Sequence, residues 1–238
     1  MSQFKIHNFK SLTSTQDKAK EFAKIGSSNQ VVISQIQTTG RGRMNRIWSS
    51  RKGNLFMSII VSPKDTENLQ HLTFAAALSV VKSVKKLAKI NTTIKWPNDV
   101  NYHGKKLCGI LTEGIFGKEN YTIIGIGLNV NQKKFSNDIP NATSLYLATK
   151  KEHPAQKLAK EILANFNNYL SKYNSGKLRE IRNEWLDNSD TINKKLTIKT
   201  FKKQIKGTAI GINDDCSLRV KTKKGNISIY EGDVSIKY

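Results

Sequence analysis

Apolar positions along the chain fall into blocks with different periods. Residues 14–25, STQDKAKEFAKI, have helical spacing and predict a helix with Ser14 or Thr15 near its N-cap. QVVISQIQ (30–37) is β-branched and predicts a strand, and NLFMSIIVS (54–62) predicts a second. Residues 66–90 return to helical spacing and predict a long buried helix. TTIKWPNDV (92–100) reads as a strand that Pro97 interrupts. KLCGILTEGIF (106–116) and YTIIGIGLNVN (121–131) predict two adjacent apolar strands. Residues 155–174 form an amphipathic helical pattern, and 177–187 a shorter one. From about Thr191 the texture changes to short alternating strands split by NDD and KKGN turns, the pattern of a small β-barrel. The pattern therefore predicts an α/β body over about 1–185 followed by an all-β cap.

One stretch fits neither period. TTGRGRMNRIWSS (38–50) carries Arg41, Arg43 and Arg46 among Gly40 and Gly42 and closes on Trp48. Long aperiodic loops inside compact domains tend to be functional. Glycine lets backbone N–H groups approach a ligand, and arginine offers a planar fork for phosphate or carboxylate. The segment reads as an anion-binding lid, with an Arg–Gly surface loop that grips single-stranded nucleic acid as the bland alternative. It is not a Walker A loop, because no G-K-[ST] follows. A second stretch, IKWPNDVNYHGKKLCGILTEG (94–114), offers Trp96 for stacking on a flat ligand, Asn98 and Asp99 as oxygens for Mg²⁺ or amide recognition, and Lys106 at the start of an apolar run. The alternative is that Lys105 and Lys106 form a solvated hairpin tip. A third, GIGLNVN, ends a strand on Asn129 and Asn131 and also reads as an Asn-rich turn.

Composition narrows the class. Forty Lys+Arg against 18 Asp+Glu give a net charge of +22 over 238 residues. Such an excess suits nucleic acid or an acidic protein partner, and equally a lysine-rich composition without function. The apolar fraction of 37% supports a core, and no run is long enough for a transmembrane helix. The N-terminus lacks the apolar region of a secretory signal, so a cytoplasmic protein is expected. Cys108 and Cys216 form neither a metal spacing nor a disulfide framework, the four histidines do not cluster, and no protein metal site is expected.

Taken in order, GRGRMNRIW, KWPNDV, KKLCGILTEG and GIGLNVN resemble the biotin–protein ligases (biotin–[acetyl-CoA-carboxylase] ligases) over nearly the whole chain. STQ at 14–16 is similar to that family's early Ser-Thr-Asn, with Gln16 in place of Asn. The resemblance implies an α+β fold: a class II synthetase-like mixed sheet flanked by helices over residues 1–188, and an SH3-like β domain over 189–238. It implies biotin contacts from Ser14, Thr15, Gln37, Gly40, Arg41, Gly42, Arg43, Lys106 and Gly109. It implies ATP or adenylate contacts from Arg43, Arg46, Trp48, Asn98, Asp99 and Asn129, with Lys106, Arg41 and Arg43 as the catalytic cations. Biotin and ATP are the implied substrates, with Mg²⁺, and the implied partner is the acidic biotinyl domain of a carboxyl carrier protein. Bifunctional members carry a DNA-binding winged helix ahead of the ligase body; here the body begins at once, so a monofunctional ligase is expected. Monomer and homodimer are left equally open. The rivals are a lipoate–protein ligase or octanoyltransferase, for which Cys108 would be the acyl carrier, and a basic nucleic-acid-binding protein.

Overall fold

The computed structural model describes residues 4–117, 119–200 and 203–236; the outermost residues of the two expected domains, 1–3 and 237–238, lie outside that range. Twelve strands and five α-helices are present among the described residues. The body is a seven-stranded sheet built from β1 (Lys5–Phe9), β2 (Gln30–Ser34), β3 (Leu55–Val61), β4 (Thr93–Lys95), β5 (Asp99–Tyr102), β6 (Lys105–Ile115) and β7 (Tyr121–Leu128). Their spatial order is β1-β2-β3-β7-β6-β5-β4. β1 runs parallel to β2 and every other pairing is antiparallel.

The two faces of this sheet are buried differently. Leu55, Met57, Ile59 and Val61 of β3 alternate onto the face covered by α2 (Gln70–Ala88), α4 (Ala155–Asn174) and α5 (Leu178–Asp187), as do Ile124, Ile126 and Leu128 of β7. There Phe74 of α2 stacks on Trp185 of α5, with ring centroids 4.3 Å apart. The opposite face is covered over only part of its length, where α1 (Thr15–Lys24) packs Ala19 and Ala23 on Val32, Ile60 and Ile123. Beyond α1 that face carries Gly109, Gly125 and Gly127, and the uncovered stretch becomes a cavity.

Caps account for the helix limits. Ser14 Oγ accepts the Gln16 N–H at 3.2 Å, so α1 starts where expected. The long helix starts at Gln70 and not at residue 66, because the Asp65 carboxylate takes the N–H groups of Glu67 and Asn68 at 3.0 and 3.1 Å in a local turn. Pro97 follows a cis peptide bond and divides the expected strand into β4 and β5, which pair as a hairpin. The next hairpin turns at His103–Gly104, both at positive φ, so Lys105 and Lys106 already belong to β6 and are not the tip. Two elements escaped the pattern: β1, mostly exposed at a sheet edge, and the five-residue α3 (Leu145–Thr149), capped by Ser144.

The remaining strands, β8 (Lys195–Lys199), β9 (Gln204–Ile212), β10 (Leu218–Thr222), β11 (Gly225–Ile229) and β12 (Asp233–Ile236), form an antiparallel, SH3-like sheet in the order β11-β10-β9-β8-β12. Its core is continuous with that of the body. Trp96 is the joint. It is 1% exposed, its backbone N–H donates to Thr191 Oγ1 at 2.9 Å, and its indole N–H donates to the Cys216 carbonyl at 3.1 Å. The expectation that Trp96 stacks on a ligand is therefore corrected: its polar edge is spent on tying the two sheets together.

Candidate active site

The cavity measures about 1080 Å³ and opens between the body and β12. Its deep end is polar and starts at the N-terminus of α1, where Ser14, Thr15 and Gln16 are all buried. Thr15 donates to Gln37 Oε1 through its backbone N–H at 2.7 Å and through its hydroxyl at 3.1 Å. Gln16 lies flat against the sheet: its Nε2 donates to the carbonyls of Leu111 and Ile123, each at 3.3 Å, and its Oε1 accepts from Ser58 at 2.9 Å. A Cβ at residue 125 would meet Gln16 Oε1 at 2.6 Å, so the longer amide at position 16 fits because Gly125 has no side chain.

The floor is made of glycine for a related reason. Gly109 of β6 and Gly127 of β7 are register partners, and the Trp48 indole rests on both. A Cβ at Gly127 would lie 2.6 Å from Trp48 Cε2, and one at Gly109 would lie 2.9 Å from Trp48 Cζ3. The Trp48 Nε1 is buried there without a hydrogen-bond partner among the described residues.

Lys106 reaches this floor through an irregularity of the sheet. Val100 pairs with Cys108 but Asn101 pairs with Lys106, leaving Leu107 as an extra residue in β6. A bulge of this kind re-aims the side chain beside it. Leu107 and Cys108 both enter the helix-covered core, and Lys106 turns to the cavity. Its Nζ lies 2.7 Å from Asp99 Oδ1 and 5.3 Å from the centre of the Trp48 ring.

The glycine–arginine segment closes on itself as a short hairpin. Gly42 N–H donates to Arg46 O at 2.7 Å and Trp48 N–H to Gly40 O at 2.8 Å, with a 3-10 turn over Arg43–Asn45. Its arginines reach different places. Arg41 turns toward α1 and β6, where Asp17 pairs with it and Glu113 lies at 3.8 Å. Burial raises the Glu113 pKa, but hydrogen bonds from Lys20 and Gln16 and the charges of Lys20 and Arg41 outweigh it and hold the carboxyl below its ordinary value. Arg43 Nη1 donates to Asn98 Oδ1 at 3.2 Å, and Asn98 Nδ2 donates to Ile110 O at 2.6 Å. Arg46 crosses the cavity mouth to pair with Asp233 of β12. Asn129 is buried at the cavity wall and gives its Nδ2 to Thr143 O at 3.0 Å.

Every substrate-contact residue implied by the family resemblance but one borders this single cavity. The exception is Gly40, which lies behind the wall; a Cβ there would collide with Ser50 Oγ and come within 2.6 Å of the Trp48 carbonyl and 2.9 Å of Gln37 Nε2. The motif reading left out Ser58, Gly125 and Gly127, which the alternation of β3 and β7 could have assigned to one face. It also left out Phe135, Ile139 and Pro140 in the segment after β7, and Asp233, Ser235 and Ile236 of the small sheet, which only the tertiary fold brings to the mouth.

The family model described as Biotin/lipoate A/B protein ligase family matches residues 8–131. The chain belongs to that family. A second model, Biotin protein ligase C terminal domain, matches residues 191–237. The bifunctional ligase/repressor BirA of Bacillus subtilis is 35% identical over 235 residues, covering 94% of this chain and 72% of that protein. The biotin–[acetyl-CoA-carboxylase] ligase of Paracoccus denitrificans is 26% identical over 230 residues, covering 93% and 96%. The solved biotin protein ligase of Aquifex aeolicus in complex with biotin and ATP superposes with a TM-score of 0.87 at 29% identity, covering 98% of each chain. The mixed sheet with its small C-terminal sheet is thus the biotin ligase fold, and the homologues are biotin–protein ligases. Within the family, the acyl-cysteine reading meets an obstacle in this chain: Cys108 faces the helix-covered core, and burial pushes its thiol far above the ordinary range.

Proposed function

We propose that this member activates biotin as biotinyl-5′-AMP and transfers the biotinyl group to a lysine of a biotin carboxyl carrier protein. What carries this reading is the position of Lys106, bulged onto the cavity that is also lined by the polar group of Thr15, Gln16 and Gln37 and by the Arg43–Asn98 pair. A neutral bicyclic ring suits the uncharged polar end, and the carboxylate of its side chain would then lie by Lys106. Residues 1–188 would hold both substrates and 189–238 would close the mouth through Asp233.

In the first step a carboxylate oxygen of biotin attacks the α-phosphorus of ATP, a P–O bond forms, and pyrophosphate leaves with the electron pair of the broken bond. Two anions meet, so the barrier is largely electrostatic. Lys106 and Arg43 offset that repulsion from fixed positions, each such donor contributing about 2.7–4 kcal/mol. Arg41, tied to Asp17 and Glu113, acts more to anchor the lid than to touch phosphate. Among the described residues no group of three His, Cys, Asp or Glu side chains could hold a metal ion. The Asp99 carboxylate and the Asn98 amide fit a Mg²⁺ that arrives on the phosphates of ATP and keeps most of its ligands there, where it would neutralise phosphate charge. Trp48 and the lid shield the mixed anhydride from water. In the second step a neutral lysine amine of the carrier attacks the acyl carbonyl and AMP departs. Carrier biotinyl domains resemble one another in being acidic, and the +22 charge favours a fast encounter with such a partner.

Among the described residues no helix is long and apolar enough to cross a membrane. Both cysteines are free and buried, which suits action in a reducing, cytoplasmic compartment. The test is incubation of the protein with biotin, ATP and an unmodified carrier domain. Mass spectrometry should show one biotinyl group on the carrier lysine; an unmodified carrier, with the ligase folded, would refute transfer.

A further inference from the structure

A line of side-chain hydrogen bonds runs from the deep end of the cavity to the lid, and its donors all point the same way. Thr15 Oγ1 lies 2.9 Å from the Ser58 hydroxyl, whose proton goes to Gln16 Oε1, and it donates to Gln37 Oε1 at 3.1 Å. Gln37 Nε2 donates to Ser50 Oγ at 2.8 Å, and Ser50 Oγ donates to the Trp48 carbonyl at 2.9 Å. The Thr15 backbone N–H also donates to Gln37 Oε1, at 2.7 Å, so both acceptor positions of that oxygen are occupied. What Gln37 retains for the cavity is its second Nε2–H. Turning the carboxamide over would set a donor against the Thr15 N–H and an acceptor against the Trp48-bound end of the line, leaving buried groups unmatched.

Ser50 is the link that does not belong to the cavity wall. It is buried at the base of the lid, and it bridges the side chain that faces the ring end to the backbone that carries Trp48. Gly40 backs it so closely that no larger residue leaves the Ser50–Gln37 contact intact. The glycine is thus required by space at this node, since its φ is not in the left-handed region.

We infer that Ser50 is a positioning residue: it fixes the Gln37 carboxamide as a hydrogen-bond donor toward the ring end of the substrate and couples that end to the Trp48 lid. The inference rests on the biotin ligase reading. Ring recognition and lid closure then act together, because a substrate that satisfies Gln37 also holds the node on which the Trp48 backbone hangs.

The experiment compares wild type with Ser50→Ala and Gly40→Ala, by ATP–pyrophosphate exchange and by limited trypsin digestion with and without biotin. Cuts within residues 41–51 are read by mass spectrometry, and thermal unfolding is recorded for each protein. Ser50→Ala is expected to raise the KM for biotin about tenfold, with kcat changed less than about twofold. With the site saturated, biotin should slow cleavage of the lid in wild type and protect the variant several-fold less. Gly40→Ala, which perturbs the same node from behind, should shift both readouts in the same direction. Ser50→Thr keeps the hydroxyl and should recover the KM at least in part. If Ser50→Ala matches wild type in KM and in biotin-dependent protection, or if both variants lose only kcat, the coupling is overturned while the ligase reading stands. If wild type itself shows no biotin-dependent exchange, both fall together.

Discussion

Lys106 Nζ lies 2.7 Å from Asp99 Oδ1, across the one bulge in the pairing of β5 with β6. The bulge gives the lysine to the cavity, and the aspartate holds it there. Because Asp99 is the nearest fixed anion, an incoming carboxylate or phosphate competes with it for the ammonium group. Lys106→Met should lower kcat for biotin-dependent exchange by about 10²–10³. Asp99→Asn should leave the fold intact and cost less, since the amide can still orient the lysine. Steady-state exchange kinetics on the two variants check the order; a Lys106→Met enzyme with wild-type kcat would remove Lys106 from the reaction.

Gly127→Ala tests the floor under Trp48. The added Cβ would lie 2.5 Å from the indole Nε1, too close for the ring to stay where it is. The substitution should shift the tryptophan emission of the unliganded protein and reduce exchange by at least about tenfold. The unfolding temperature should move little, because the φ of Gly127 is not in the left-handed region. Emission and exchange both unchanged would mean that Trp48 is not seated on this pair of glycines.

The thiols make a prediction against acyl-cysteine chemistry. Cys108 and Cys216 are buried, and burial raises both thiols well above their ordinary range. Neither should react with a thiol reagent at pH 8 until the protein unfolds, and Cys108→Ser should keep exchange within about threefold of wild type. A Cys108→Ser enzyme that folds but transfers nothing would revive the acyl-cysteine route.

His71 gives the fold a pH dependence of known sign. The ring is fully buried, Nδ1 lies 3.2 Å from the Asn68 carbonyl, and Nε2 is buried without a hydrogen-bond partner among the described residues. Burial, with help from the charge of Arg182, lowers its pKa below 6.5, although Asp65 and Asp214 pull the other way. The unfolded chain therefore takes up a proton near pH 6.5 that the folded chain refuses. Stability should fall as pH drops below 6.5 until the folded value is reached, by up to about 1.4 kcal/mol per pH unit. His153, also lowered by burial, adds in the same direction. Asp65 and Asp215 are held low, so their contribution is full above about pH 4 and is lost only on further acidification. Urea midpoints measured from pH 7.5 to 5.5 should decline in wild type and flatten in His71→Gln; equal slopes would assign the effect elsewhere.

Much of this architecture could be read from local pattern. The helix at α1 carries its own cap in Ser14, and the adjacency of β6 and β7 follows from two apolar runs separated by a short turn. The cavity residues were legible because the glycine–arginine segment and the Lys106 stretch combine charge with an absence of simple period. What stayed hidden depends on tertiary register. No local signal marks the Leu107 bulge, and without it Lys106 would share the core face with Cys108. Trp96 looked like a ligand platform because an indole near Asn98 and Asp99 suits one; its burial against Cys216 comes from the turn between β9 and β10, far along the chain. The Arg46–Asp233 pair is of the same kind, since it joins residues brought together only by the docking of β12.

The central claim is acid activation at the glycine–arginine segment, and ATP–pyrophosphate exchange tests it most directly. Wild type and Arg43→Glu are offered biotin, lipoate and octanoate in turn. The account predicts exchange that requires biotin, is at least about a hundredfold weaker with the other two acids, and collapses in Arg43→Glu, where a carboxylate faces Asn98 in place of a guanidinium. Exchange driven by lipoate or octanoate in preference to biotin, or full activity in Arg43→Glu, would contradict it.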